Sequence, residues 1–100
     1  MPPLLLPAHQ LAQGVRACGP ALLADSDDPH AELLAMVWGP RFDREHAIAL
    51  WTRLSQRQPQ AAVPVLPLLW SAADRFDALA APAQQRVRRL ILRHRHVAVV

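Results

Sequence analysis

Proline is the residue that most constrains what this chain can fold into. Ten of its 100 residues are proline, and each one inside a helix removes a backbone hydrogen bond and crowds the carbonyl four residues earlier, while in a central strand it breaks the ladder. The chain is therefore read as short segments separated by Pro20, Pro29, Pro40, Pro59, Pro64, Pro67 and Pro82. Within them the residue supply favours helix, with 18 Ala and 16 Leu against Thr52 as the lone threonine. The expectation is an all-α fold: one small domain over 1–100, with four to five short helices packed as antiparallel pairs.

The segments can be assigned one by one. Ala8, Leu11, Ala12, Val15 and Cys18 lie at helical spacing between Pro7 and a stop at Gly19-Pro20, with Gly14 as the weak point. Asp28 is a good N-cap, Pro29 suits the first helical position and Glu32 the first turn, so a second helix is expected over Pro29 to Trp38, burying Leu33, Leu34, Val37 and Trp38. A third helix is expected from Arg41 to Arg57, with Ala47, Leu50, Trp51 and Leu54 on one face. Pro64 and Pro67 exclude a regular helix from Gln60 to Leu69, which reads as a packed extended connection turning helical after Pro67. Ser71 and Asp74 then pair as a cap for a fourth helix that runs towards Pro82. The last segment is read as helical from Pro82 to His94, with residues 97–100 extended and residues 1–6 flexible. One core is expected from Leu33, Val37, Leu50, Trp51, Leu54, Phe76, Leu79, Val87, Leu90 and Ile91.

Charge is distributed unevenly. All eight carboxylates lie between Asp25 and Asp77, and after Asp77 come five arginines and no acid. The formal net charge of +3 is therefore a property of the C-terminal quarter. Cys18 is the only cysteine, so no internal disulfide is available and a reducing, cytoplasmic setting is expected. The N-terminal apolar block is too short and proline-rich for a signal core, and no stretch supplies about 20 continuous apolar helical residues.

Chemical motifs are sparse. Asp25-Ser26-Asp27-Asp28 resembles the start of a calcium loop but has His30 and Met36 where the loop needs glycine and glutamate. His94 and His96 lack companion ligands, so no metal or other cofactor is expected. Cys18 reads as a buried small hydrophobe, and Asp43, Glu45 and His46 as ordinary helix-surface groups. With Gly14, Gly19 and Gly39 the only glycines, no loop is available to cradle a developing charge, and the chain is read as non-enzymatic without a small-molecule substrate. Arg41-Phe42-Asp43 recurs as Arg75-Phe76-Asp77 at an interval of 34 residues, but the core register fails to follow, and the recurrence reads as chance or remote hairpin similarity and not as a repeat protein.

Two surfaces are expected to carry contact. The apolar, proline-containing segment with Val65, Leu66, Leu68, Leu69 and Trp70 reads as a protein-binding or self-association surface. The basic segment, with Gln84, Gln85, Arg86, Arg88, Arg89, Arg93 and Arg95, reads as a contact for nucleic acid, if it is the second helix of a helix-turn-helix, or for an acidic protein. Trp38, Trp51 and Trp70 are either a shared packing centre or partner anchors. The preferred function is a small protein-interaction module, an adaptor, assembly factor or secretion-type chaperone, acting as a dimer or within a complex. The alternative is a nucleic-acid-binding regulator.

Overall fold

In the computed structural model, which describes the backbone of residues 6–99 and the side chains of residues 11–93, the chain forms five helices and, among the described residues, no strand. They are α1 (Leu6–Leu22), α2 (Pro29–Met36), α3 (Arg44–Arg57), α4 (Pro59–Ala78) and α5 (Ala81–Val99). The all-α small domain is as expected from composition and periodicity. Prolines bound the helices less strictly than the local rules imply. Pro20 lies inside α1, and the helix carries on until the Leu23 amide donates to the Gly19 carbonyl at 2.9 Å.

The larger departure is α4, a single 20-residue helix with Pro64 and Pro67 inside it. No extended connection exists, and Ser71 caps nothing because it lies mid-helix. Both prolines are exposed, so their rings occupy the solvent side. The opposite side buries Ala62, Val65, Leu69, Ala72, Ala73 and Phe76. A proline in a helix costs about 3 kcal/mol, whereas fully burying each large apolar side chain contributes about 1.5–3 kcal/mol. Val65, Leu69 and Phe76 together contribute about 5–9 kcal/mol against about 6 kcal/mol for the two prolines, and the three buried alanines add to that side of the balance.

α4 is the central element, packed most extensively against α1 and next against α3, while α5 packs against α2. At the α1–α4 crossing Gly14 lies opposite Ala72, where a Cβ on residue 14 would sit 3.8 Å from the Ala72 Cβ. Gln58 is the one residue between α3 and α4. Its amide closes α3 on the Leu54 carbonyl (2.7 Å) and its own carbonyl accepts the Ala62 amide of α4 (3.1 Å), with Pro59 supplying a pre-set φ at the first helical position.

Asp28 caps α2 as expected, accepting the Ala31 amide at 3.1 Å. The helix stops at Met36, two residues early, because the chain turns at Val37 (φ −114°, ψ 14°). Trp38 is thereby carried off the apolar stripe and is 66% exposed. Asp43 is the N-cap of α3, accepting the His46 amide at 3.1 Å. It is therefore a backbone cap and not the side-chain partner of His46, whose Nε2 lies 2.6 Å from Glu32 Oε2 of α2. α5 remains helical to Val99, so residues 97–99 are not an extended tail. Leu6, expected to be flexible, is the first residue of α1, while the rest of the 1–6 stretch and Val100 lie outside the described residues.

Of the ten expected core residues, Val37, Leu50, Leu54, Phe76, Leu79 and Ile91 are buried, and Leu33, Trp51 and Val87 pack partly buried against them. Trp51 sits at the edge, its indole N–H donating to the Ala62 carbonyl at 2.9 Å. Leu90 is 50% exposed. The reason is polar: Gln84 and Arg88 turn inward to make hydrogen bonds, and that orientation of α5 puts Leu90 on the outside.

Candidate interaction surface

The seven residues between α2 and α3 form a loop whose backbone is fixed largely by side chains from α4 and α5. Arg88 donates from Nε to the Val37 carbonyl (2.7 Å) and from Nη2 to the Gly39 carbonyl (2.8 Å). Gln84, only 5% exposed, donates from Nε2 to the Pro40 carbonyl (2.9 Å) and to the Phe76 carbonyl at the end of α4 (3.0 Å). Asp77 accepts the Phe42 amide at 2.7 Å and the Arg44 guanidinium on its other oxygen. The Asp43 amide closes the loop on the Met36 carbonyl at 2.8 Å. A loop must satisfy its peptide groups somewhere, and here side chains do so, with the Arg88 and Asp77 bonds charge-assisted and stronger than the neutral ones from Gln84.

The two Arg-Phe-Asp tripeptides, read from sequence as a coincidence, meet at this point. Phe42 and Phe76 pack edge to face with centroids 6.4 Å apart, and Asp77 of one tripeptide receives the amide of Phe42 in the other. The Arg88 guanidinium carbon lies 6.0 Å from the Phe76 ring centroid. Burial works against ionisation of Asp77, but the Phe42 amide and the Arg44 guanidinium outweigh it and hold the carboxyl below its ordinary value. Arg41 adds a further favourable charge.

These contacts sort the expected basic surface into two groups. Gln84 and Arg88 are internal braces, and all three Arg88 donor groups are engaged, the last with Gln85 Oε1 at 2.8 Å. Gln84 and Arg88 are thus turned towards the 37–43 loop and the end of α4, while Gln85 is exposed. Arg86, Arg89 and Arg93 are exposed, lie on one outward face at helical spacing, and form no ion pair among the described residues. The Arg95, His94 and His96 side chains lie outside the described residues.

The expected apolar surface is largely core. Val65 and Leu69 are buried, Leu66 and Trp70 are half-buried, and Leu68 alone is exposed. A helix in place of an extended connection sends Val65 and Leu69 inward, one turn apart, so neither can reach a partner. The outward residues of that helix include Val63 and Leu68, and sequence reading missed Val63 because it assigned no face to this segment.

The remaining chemistry-bearing groups are dispersed. Cys18 is buried and its thiol is pushed up by that burial, away from a reactive thiolate. Among the described residues no three His, Cys, Asp or Glu side chains converge as metal ligands, and no helix is long and apolar enough to cross a membrane. Among the described residues the surface depressions include one along Gln58 to Ala61 and one between α1 and the start of α2 lined by Val15, Gly19, Leu23 and Pro29. Neither gathers an acid, a base and a nucleophile. Comparison with known family models, with curated proteins and with solved structures finds no match.

Proposed function

We propose that this chain is a non-enzymatic helical protein-interaction module, of the adaptor, assembly-factor or chaperone kind, that meets an acidic partner through the outer face of α5. The observation that carries this reading is Arg86, Arg89 and Arg93 on one helix face, with no ion pair among the described residues, beside a half-exposed Leu90. Arginine with interspersed apolar surface suits protein interfaces, where arginine is enriched. Nucleic acid is the weaker match because Arg88 and Gln84 are consumed internally and Leu90 and Leu92 interrupt the basic face. A single buried thiol suits a reducing compartment such as the cytoplasm, and the partner is either a foreign protein or a second copy.

The test compares the chain with its triple variant Arg86→Glu, Arg89→Glu, Arg93→Glu. Proteins captured from native extract are identified, purified and titrated back against both forms. The expected result is an acidic protein whose affinity falls with added salt and is lost in the variant. Sub-micromolar binding of duplex DNA at physiological salt, with a log-log salt slope of about −3 as three phosphate contacts require, would replace this reading with the nucleic-acid one.

A further inference from the structure

Trp38 is the largest exposed apolar side chain of the described residues at 66%, and its indole N–H has no acceptor among them. An exposed tryptophan on a mobile loop would be unremarkable. This one is flanked by two carbonyls, Val37 and Gly39, both held by the single guanidinium of Arg88, and the next carbonyl along is held by buried Gln84. The backbone that carries the indole is thus fixed in advance from both sides. Ordering a loop and its side chains on binding normally reduces affinity, and a pre-fixed loop avoids much of that loss.

The surroundings specify what would cover it. Pro40 and Arg41 of the same loop are exposed. On α5 the helix surface next to Arg88 carries Leu92, one turn further on and 38% exposed, and exposed Arg89. Of the acids on the neighbouring elements, Asp43 accepts the His46 amide, and Asp77 accepts the Phe42 amide and the Arg44 guanidinium, with Arg41 adding a weaker favourable charge to Asp77. The patch is therefore an apolar indole and leucine bordered by arginine.

Resting on the reading of α5 as an acidic-partner surface, we infer that Trp38 is the anchor of that contact and that its occupant is an acidic amphipathic helix lying across the 38–41 loop and the Leu92 side of α5. The apolar stripe of such a helix would cover Trp38 and Leu92, and its flanking carboxylates would meet Arg41 and Arg89. This is the groove-and-stripe mode of helix recognition, with the anchor supplied by the receptor.

The probe is a synthetic helix of about 18 residues, five turns, with Leu at i, i+3, i+4 and i+7, Glu only at the positions flanking that stripe and Ala or Gln elsewhere so that it stays helical, and a control carrying Lys in place of every Glu. The full chain should bind the Glu helix, more weakly as salt rises, and not the Lys helix. Binding should shift the tryptophan emission to the blue, and Trp38→Phe should abolish the shift, since Trp51 and Trp70 already lie half-buried. Trp38→Ala should weaken binding at least about tenfold, with helical circular dichroism and melting temperature unchanged, and Arg89→Glu should weaken it severalfold. Undiminished binding by Trp38→Ala, together with loss in the Arg86, Arg89 and Arg93 reversal, would overturn the anchor while leaving the acidic-partner reading standing. Loss by Trp38→Ala with no effect of the charge reversal would leave an anchor for a non-acidic partner and overturn both. Equal binding of the Lys helix, or no binding of the Glu helix, would also overturn the inference.

Discussion

The two sides of this domain are held by different forces. Around α4 the contacts are apolar: Leu54, Leu69, Ala73 and Phe76 are essentially inaccessible, and α1 and α3 close over them. Where α5 meets α2 and the 37–43 loop, the decisive contacts are directional, from Arg88, Gln84 and Asp77 to backbone groups. Burial is tolerant of sequence so long as volume is kept, whereas a carbonyl that loses its donor inside the protein has no substitute. The difference teaches that the dependence runs one way: the display of Trp38 can be loosened locally while the apolar scaffold holds, whereas damage to the scaffold takes the display with it.

The largest effect is expected in the apolar half. Leu69→Ala should destabilise the whole domain by about 2–5 kcal/mol, read as a lower denaturant midpoint with an unchanged slope; a change below about 0.5 kcal/mol would mean that α4 does not pack as described. Arg88→Met keeps the aliphatic stem but strips the donors from the Val37 and Gly39 carbonyls. It should cost about 1–3 kcal/mol and speed amide exchange of Phe42 and Asp43 far more than that of Ala72 and Ala73. Uniform acceleration across both regions would erase the distinction between the two halves.

Acid should act on the polar half first. The Asp77 carboxyl is held low in the fold, so ionised Asp77 favours the folded state. Its contribution is complete above the ordinary carboxylate range, near pH 4, and is lost as pH falls from there through the depressed folded value. Asp77→Asn should flatten the stability profile in that window and loosen Phe42, which a pH series of unfolding curves can read; an unaltered acid limb would show that Asp77 makes no such contribution. The smallest effect is a gain. Gly14→Ala places a methyl at ordinary contact distance from Ala72 and removes a helix-interior glycine, so thermal unfolding should report a stabilisation of roughly 0.5–1 kcal/mol. A loss would mean that α1 and α4 approach more closely than described.

Legibility followed the range of the interactions involved. Asp28 with Pro29 and the apolar spacing of α3 were readable because caps and helix faces are local. The Arg-Phe-Asp recurrence was visible but not interpretable, since only the folded chain shows that Phe42, Phe76 and Asp77 come together. Gln84 and Arg88 resemble surface residues in any one-dimensional reading, because their loop partners are carbonyls 44 to 51 residues away and carbonyls carry no sequence signal. Trp38 was assigned to the apolar stripe because nothing local marks the turn at Val37. The prolines of α4 misled for the converse reason: a local rule was correct about its cost and silent about the burial that exceeds it.

That helix has a consequence for how the domain is assembled in time. With Pro64 and Pro67 in its first half, α4 is a poor helix on its own, and nucleating an isolated helix is unfavourable even without proline. The central element of the fold therefore cannot serve as a preformed template on which the others condense. It must acquire its shape while α1 and α3 arrive, making secondary and tertiary structure one event. A peptide of residues 59–78 should show little helix in water by circular dichroism, and the intact chain should unfold in a single transition with no partly folded species; a strongly helical peptide would instead make α4 the seed.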